Sequence, residues 1–193
     1  MKGFIKIFII SFLGLTAIAT TKTHSGQDDL IKHLTSGGHI LMIRHAYAPG
    51  TGDPPHFKIG DCATQRNLDG GGRAQARAIG DWLRSKGIKV ANVYSSQWCR
   101  CLETARLLGI GTVVELPALN SFYEFTQDRE PNIKALRSFI ENLSANGELI
   151  LMVTHFVTIL EITGEGVSSG EAVVLKLKGQ GAYDVLGRLS FGF

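Results

Sequence analysis

Two apolar runs in this chain each lead straight into a histidine. His39 to Ile43 runs into Arg44-His45, and Leu149 to Thr154 runs into His155. Apolar runs of this length read as buried strands of a mostly parallel sheet, and open α/β sheets hold their ligands beyond the carboxyl ends of such strands. A third run, Val90 to Tyr94, ends in Ser95-Ser96 and is followed about one helical turn later by Arg100. The pattern brings two imidazoles and two guanidinium groups to one sheet edge. Arginine forks pair with phosphate oxygens and stay charged at all relevant pH, so the chemistry expected there is that of a phosphate group.

The elements that must position these groups alternate between strand and helix. A helix is expected over Gln27 to Thr35, and the first strand over His39 to Ile43. A long irregular loop rich in glycine and proline follows from Ala46 to Asn67. Asp69 can cap the next helix, on which Ala76, Ile79 and Leu83 share a face and which Gly87 stops. Then come a strand over Val90 to Tyr94, a helix from Trp98 to Leu108, a short strand near Thr112 to Val114, and a helix with Pro131 in its first turn. A strand over Glu148 to Thr154 and a helix from about Val157 to Thr163 lead to an antiparallel pair, Glu171 to Leu177 and Tyr183 to Phe191, at one side of the sheet. The expected fold class is α/β: a three-layer α/β/α sandwich with a mostly parallel central sheet. Gly70-Gly71-Gly72 lacks phosphate-loop spacing and reads as close packing or a sharp helix start.

The chain has 193 residues, 44% hydrophobic and 19% charged, which suits one globular domain with a substantial core. Residues 1–19 have a positive start, an apolar stretch from Ile7 to Ile18, and the small-x-small sequence Ala17-Ile18-Ala19. That order is expected of a cleaved secretory signal peptide, leaving a single domain over 20–193 and an exported protein, periplasmic or secreted, with no stable membrane anchor. Loss of Lys2 and Lys6 would leave 18 basic and 17 acidic residues, and no Lys/Arg run suggests a nucleic-acid partner. Three cysteines fit neither a dense disulfide scaffold nor a zinc site. In an oxidising compartment Cys62 can pair with Cys99 or Cys101, stapling the long loop to the helix that carries Arg100. The alternative is three buried thiols.

Arg44-His45-Ala46 resembles the Arg-His-Gly signature of the histidine phosphatase superfamily, which includes the cofactor-dependent phosphoglycerate mutases. The resemblance continues in order through Leu68 to Ala76, which is similar to the family's Leu-Thr-x-x-Gly-x-x-Gln-Ala segment. It extends through Ser96, Arg100, Thr104 and Ala105, and through Val153-Thr154-His155. It spans about Ile40 to Leu175 and implies a phosphoglycerate mutase-like fold.

The resemblance implies that His45 attacks phosphorus and forms a phosphohistidine, while Arg44, Arg100 and His155 bind the phosphoryl oxygens. Glu124 is the nearest carboxylate for a general acid, with Asn120 and Ser121 also near the family's position, and Arg66 is a further candidate contact to substrate. Asp53 and His56 read as ordinary loop residues at the pocket entrance. No metal and no cofactor are expected. The leading expectation is an exported phosphatase acting on a small phosphomonoester or a phosphoprotein. The alternatives are a non-catalytic module binding phosphate or phosphoglycan, and a phosphoglycerate mutase-type phosphotransferase.

Overall fold

The computed structural model describes residues 26–192, so the expected signal segment at 1–19 lies outside the described residues. Among these residues six strands form one sheet: β1 (His39–Arg44), β2 (Val90–Ser95), β3 (Val113–Glu115), β4 (Leu149–Thr154), β5 (Ala172–Gly179) and β6 (Ala182–Leu189), in the order β3-β2-β4-β1-β5-β6. The β3-β2, β2-β4 and β4-β1 pairings are parallel, whereas β5 runs antiparallel to both β1 and β6.

Among the described residues five helices cover the sheet: α1 (Gln27–Thr35), α2 (Gly70–Ser85), α3 (Cys99–Leu108), α4 (Arg129–Glu141) and α5 (Phe156–Thr163). Because successive side chains of a strand point to opposite faces, β1 and β4 feed two separate cores. Leu41, Ile43, Leu151 and Val153 pack with Leu30 and Leu34 of α1, Ile79 and Leu83 of α2, and Ala105 and Leu108 of α3. Ile40, Met42, Ile150 and Met152 pack with Ile133, Leu136 and Ile140 of α4, and Ile159 and Ile162 of α5. The result is the three-layer arrangement that the alternation of elements predicts.

Local chemistry sets the helix ends. The Asp69 carboxylate accepts from the Gly72 N–H at the start of α2, and Gly87 after that helix has a φ of 65°. Helix α4 begins at Arg129, two residues before Pro131, because a 3-10 turn at Thr126–Asp128 already winds the chain into it. Gly72 belongs to the interior of the fold: a Cβ there would lie 1.9 Å from the Tyr47 carbonyl oxygen, so its lack of a side chain lets α2 sit against the chain just past β1.

Candidate active site

Strands β1 and β4 are parallel neighbours with Arg44 in register with Thr154, so His45 and His155 both follow the last paired residues at the same sheet edge. The His45 N–H donates to the Thr154 carbonyl at 2.9 Å, and the two imidazole centroids are 5.5 Å apart. Strand β2 lies on the other side of β4, and the chain leaving it starts α3, whose second residue is Arg100. All three strands therefore discharge their polar residues into one cavity of about 330 Å3. Its lining includes Arg44, His45, Arg66, Arg100, Glu124 and His155, the six candidate residues expected from the sequence.

The hydrogen bonds assign the protonation of His45. Nδ1 lies 2.8 Å from the Ala46 carbonyl oxygen, which can only accept, so Nδ1 carries the hydrogen and Nε2 presents a lone pair. Arg100 Nε donates toward that Nε2 from 3.3 Å. Burial, and after it the charge of Arg100, pushes the His45 imidazole down to about 3, so the ring is neutral and nucleophilic near neutral pH.

His155 is buried and held from both ring nitrogens. Its Nδ1 faces Arg100 Nη2 at 3.5 Å, and its Nε2 lies 2.8 Å from Ser96 Oγ. Since a guanidinium only donates, the network puts the hydrogen on Nε2, which donates to Ser96, and the Ser96 hydroxyl in turn donates to Asn120 Oδ1 at 3.2 Å. Burial and the Arg100 charge keep this imidazole well below its ordinary range. Asn120 thus anchors the second histidine through Ser96, and Ser121 lines the cavity beside it.

Cations dominate the floor. Arg44 Nη1 donates to the Val167 carbonyl at 3.0 Å, while its buried Nε has no hydrogen-bond partner among the described residues. Arg66 Nε donates to the Gly52 carbonyl at 2.8 Å. Burial and the Arg100 charge lower the pKa of both Arg44 and Arg66, the expected effect of crowding three guanidinium groups.

The structure corrects the reading of Asp53 as an ordinary loop residue. Arg100 Nη1 lies 2.9 Å from each Asp53 carboxylate oxygen, and the two side chains are 3% and 1% exposed. Asp53 also accepts from Trp98 Nε1 and from the Arg66 backbone N–H. A buried arginine requires a charge partner, and that requirement was the available signal for a carboxylate in the adjoining loop. His56, by contrast, is exposed and does not line the cavity. Glu124 reaches the cavity wall, where one oxygen accepts from the Asp53 backbone N–H.

A disulfide joins Cys62 to Cys99, with 37 residues of sequence separation, and ties the long loop to the first residue of α3. Cys101 remains a buried thiol 3.4 Å from His155 Nε2. Burial pushes its pKa up to about 12, so it is not a nucleophile near neutral pH.

The profile of the histidine phosphatase superfamily (branch 1) matches residues 40–130, the stretch that carries Arg44, His45, Arg66, Arg100 and Glu124. The mitochondrial serine/threonine-protein phosphatase Pgam5 of Drosophila virilis is 36% identical over 83 residues, covering 42% of this chain. The chain spans about a quarter of that relative, 26% of its length. Among solved structures, the protein histidine phosphatase SixA complexed with tungstate superposes with a TM-score of 0.57 at 17% identity, covering 79% of this chain and 97% of that one. A putative alpha-ribazole-5'-P phosphatase from Escherichia coli gives 0.57 at 18% identity, covering 80% and 97%. At such identities the superpositions speak for the fold, which is that of histidine phosphatases such as SixA, while the profile speaks for the segment of 40–130 around His45.

Proposed function

We propose that this protein is an exported phosphatase that hydrolyses phosphomonoesters through a phosphohistidine on His45. The observation that carries the reading is the pairing of a neutral, tautomer-locked His45 Nε2 with Arg100 Nε at 3.3 Å, in a cavity that Arg44 also lines. A neutral imidazole and two guanidinium groups lining the same cavity suit a nucleophile and the oxyanion it attacks.

In the first step His45 Nε2 forms a bond to phosphorus as the ester oxygen leaves with the bonding electrons. Arg44, Arg66 and Arg100 neutralise the equatorial oxygens, the main contribution a protein makes to phosphoryl transfer. The departing alkoxide takes a proton from Glu124 or from water. In the second step water attacks phosphorus, the N–P bond breaks, and inorganic phosphate leaves with His45 neutral again. Arrival of a phosphate dianion favours a proton on His155 Nδ1, which then donates to a phosphoryl oxygen in place of facing Arg100. This chemistry needs no metal ion.

Export is supported by the order of charged, apolar and small residues in 1–19 and by the Cys62–Cys99 disulfide, a bond typical of oxidising compartments. The decisive experiment is phosphate release from p-nitrophenyl phosphate by the mature protein, with acid-quench trapping of phosphoenzyme. Wild type is expected to turn over and to trap label on His45, and His45→Ala to lose at least about a thousandfold in kcat. Undiminished turnover in that variant would refute the mechanism. Phosphate binding without turnover in the wild type would make the protein a binding module.

A further inference from the structure

The walls of the cavity divide by exposure. Its buried lining residues, His45, Arg100, Ser121 and His155, make the floor that takes the phosphoryl group. The exposed ones make the rim, and there two of the exposed large apolar side chains found among the described residues occur together: Tyr123, 56% exposed, and Phe156, 38% exposed. Scattered surface aromatics need no explanation, but two rings on the lip of one polar cavity leave apolar surface in water for which a ligand is the natural cover. Phe156 also lies beneath Arg44, whose guanidinium carbon is 5.5 Å from the ring centroid, so the ring is held beside the phosphate seat.

Among the described residues the rim carries no exposed cation, and its one charged side chain is the carboxylate of Glu124. A second anionic group on the substrate would meet that carboxylate without a partner. The leaving group that fits is therefore flat, apolar and uncharged.

Glu124 bears on the chemistry as well. One of its oxygens is committed to the Asp53 N–H, which leaves only the other to serve a departing group. A phenol, with a pKa of about 10, departs as an anion far more readily than an aliphatic alcohol, which is a much weaker acid. An aryl ester thus relieves the demand on the residue worst placed to meet it.

From these independent features of rim and acid, and resting on the phosphatase reading above, we infer that the site is specific for aryl phosphomonoesters without a second negative charge, with Tyr123 and Phe156 as the specificity-determining residues. The aryl group is either a free phenol ester or a phosphotyrosine side chain, which present the same ring.

Intrinsic leaving-group reactivity is removed by measuring binding of phosphonates, which do not turn over. Calorimetry on the full mature protein is expected to show phenylphosphonate binding about tenfold more tightly than butylphosphonate. Tyr123→Ala and Phe156→Ala should each narrow that ratio to within about threefold, and Tyr123→Phe should retain it. Equal affinities in the wild type, or a ratio that neither alanine variant changes, would overturn the inference. Those outcomes are independent of turnover, whereas failure of the phosphatase reading appears as absent phosphoenzyme whatever the phosphonate ratio. Comparing kcat/KM for phenyl phosphate with that for a phosphotyrosine peptide then identifies the source. A higher value for the peptide assigns a polypeptide substrate and a higher value for phenyl phosphate assigns a small molecule, and either supports the aryl class.

Discussion

Arg100 and Asp53 are locked together, with the guanidinium Nη1 2.9 Å from both carboxylate oxygens in a setting that excludes water. The pair leaves Arg100 Nε free to point at His45 and Nη2 at His155, so Asp53 fixes the angle at which the arginine meets both imidazoles.

Removing Asp53 should therefore act on both stability and function. Asp53→Ala leaves a buried cation without its partner, a change that typically costs about 3 kcal/mol, and urea unfolding should show the loss as a lower midpoint at similar slope. Freed to swing, Arg100 should also cost about a hundredfold in kcat/KM, with Asp53→Asn losing less because it keeps an oxygen for Arg100. A variant with wild-type midpoint and activity would show that the pair does not position the arginine.

Much of the site was legible in the sequence for a physical reason. Strands buried on both faces must be apolar along their length, so β1 and β4 stand out as unbroken runs and the histidines at their ends are easily seen. Asp53 was not legible. It lies 47 residues from Arg100 in a loop without periodicity, and only the closed structure shows which carboxylate answers the buried charge. The disulfide was half legible: Cys99 and Cys101 necessarily point apart on α3, but which of them faces the loop depends on how that helix rolls against β4.

The Cys62–Cys99 bond should hold the loop in its working position. Closing a loop of 37 residues corresponds to about 4 kcal/mol in the chain-entropy account. The Cys62→Ser/Cys99→Ser double variant is expected to melt at lower temperature. It should also lose activity, because Asp53 and Arg66 belong to the tethered loop. Intact mass should rise by two hydrogens on reduction, and iodoacetamide should reach Cys101 only after unfolding, since that thiol is buried. An unchanged melting curve in the double variant would show that the loop is held by its other contacts alone.

Acid should destabilise the protein through its buried histidines. The folded-state pKa of His45 is pushed down to about 3, and those of His155 and His39 are also lowered, each chiefly by burial. Between those values and the unfolded value of about 6.5, the unfolded chain binds more protons than the folded one. Stability therefore rises with pH through this window, by up to about 1.4 kcal/mol per pH unit for each such histidine, and their contribution levels off above it. Chemical denaturation from pH 4 to 8 checks the slope. Millimolar inorganic phosphate should flatten it, because a bound dianion permits His155 to remain protonated. A pH-independent midpoint would mean that these imidazoles are not buried neutral.

The glycine triplet that opens α2 gives the last test, in which one substitution has opposite signs two residues apart. A Cβ on Gly70, the first helical residue, meets nothing within 4 Å. Gly70→Ala should thus stabilise by about 0.5 kcal/mol by reducing the freedom of the unfolded chain. A Cβ on Gly72 would overlap the Tyr47 carbonyl, and a backbone neighbour cannot rotate away as a side chain can. Gly72→Ala should cost about 3 kcal/mol, the upper end for overpacking. The strain would fall on the segment next to Ala46, whose carbonyl fixes the His45 tautomer, so kcat should fall together with the thermal midpoint. Equal effects of the two substitutions would show that α2 can move away from the strand end without disturbing His45.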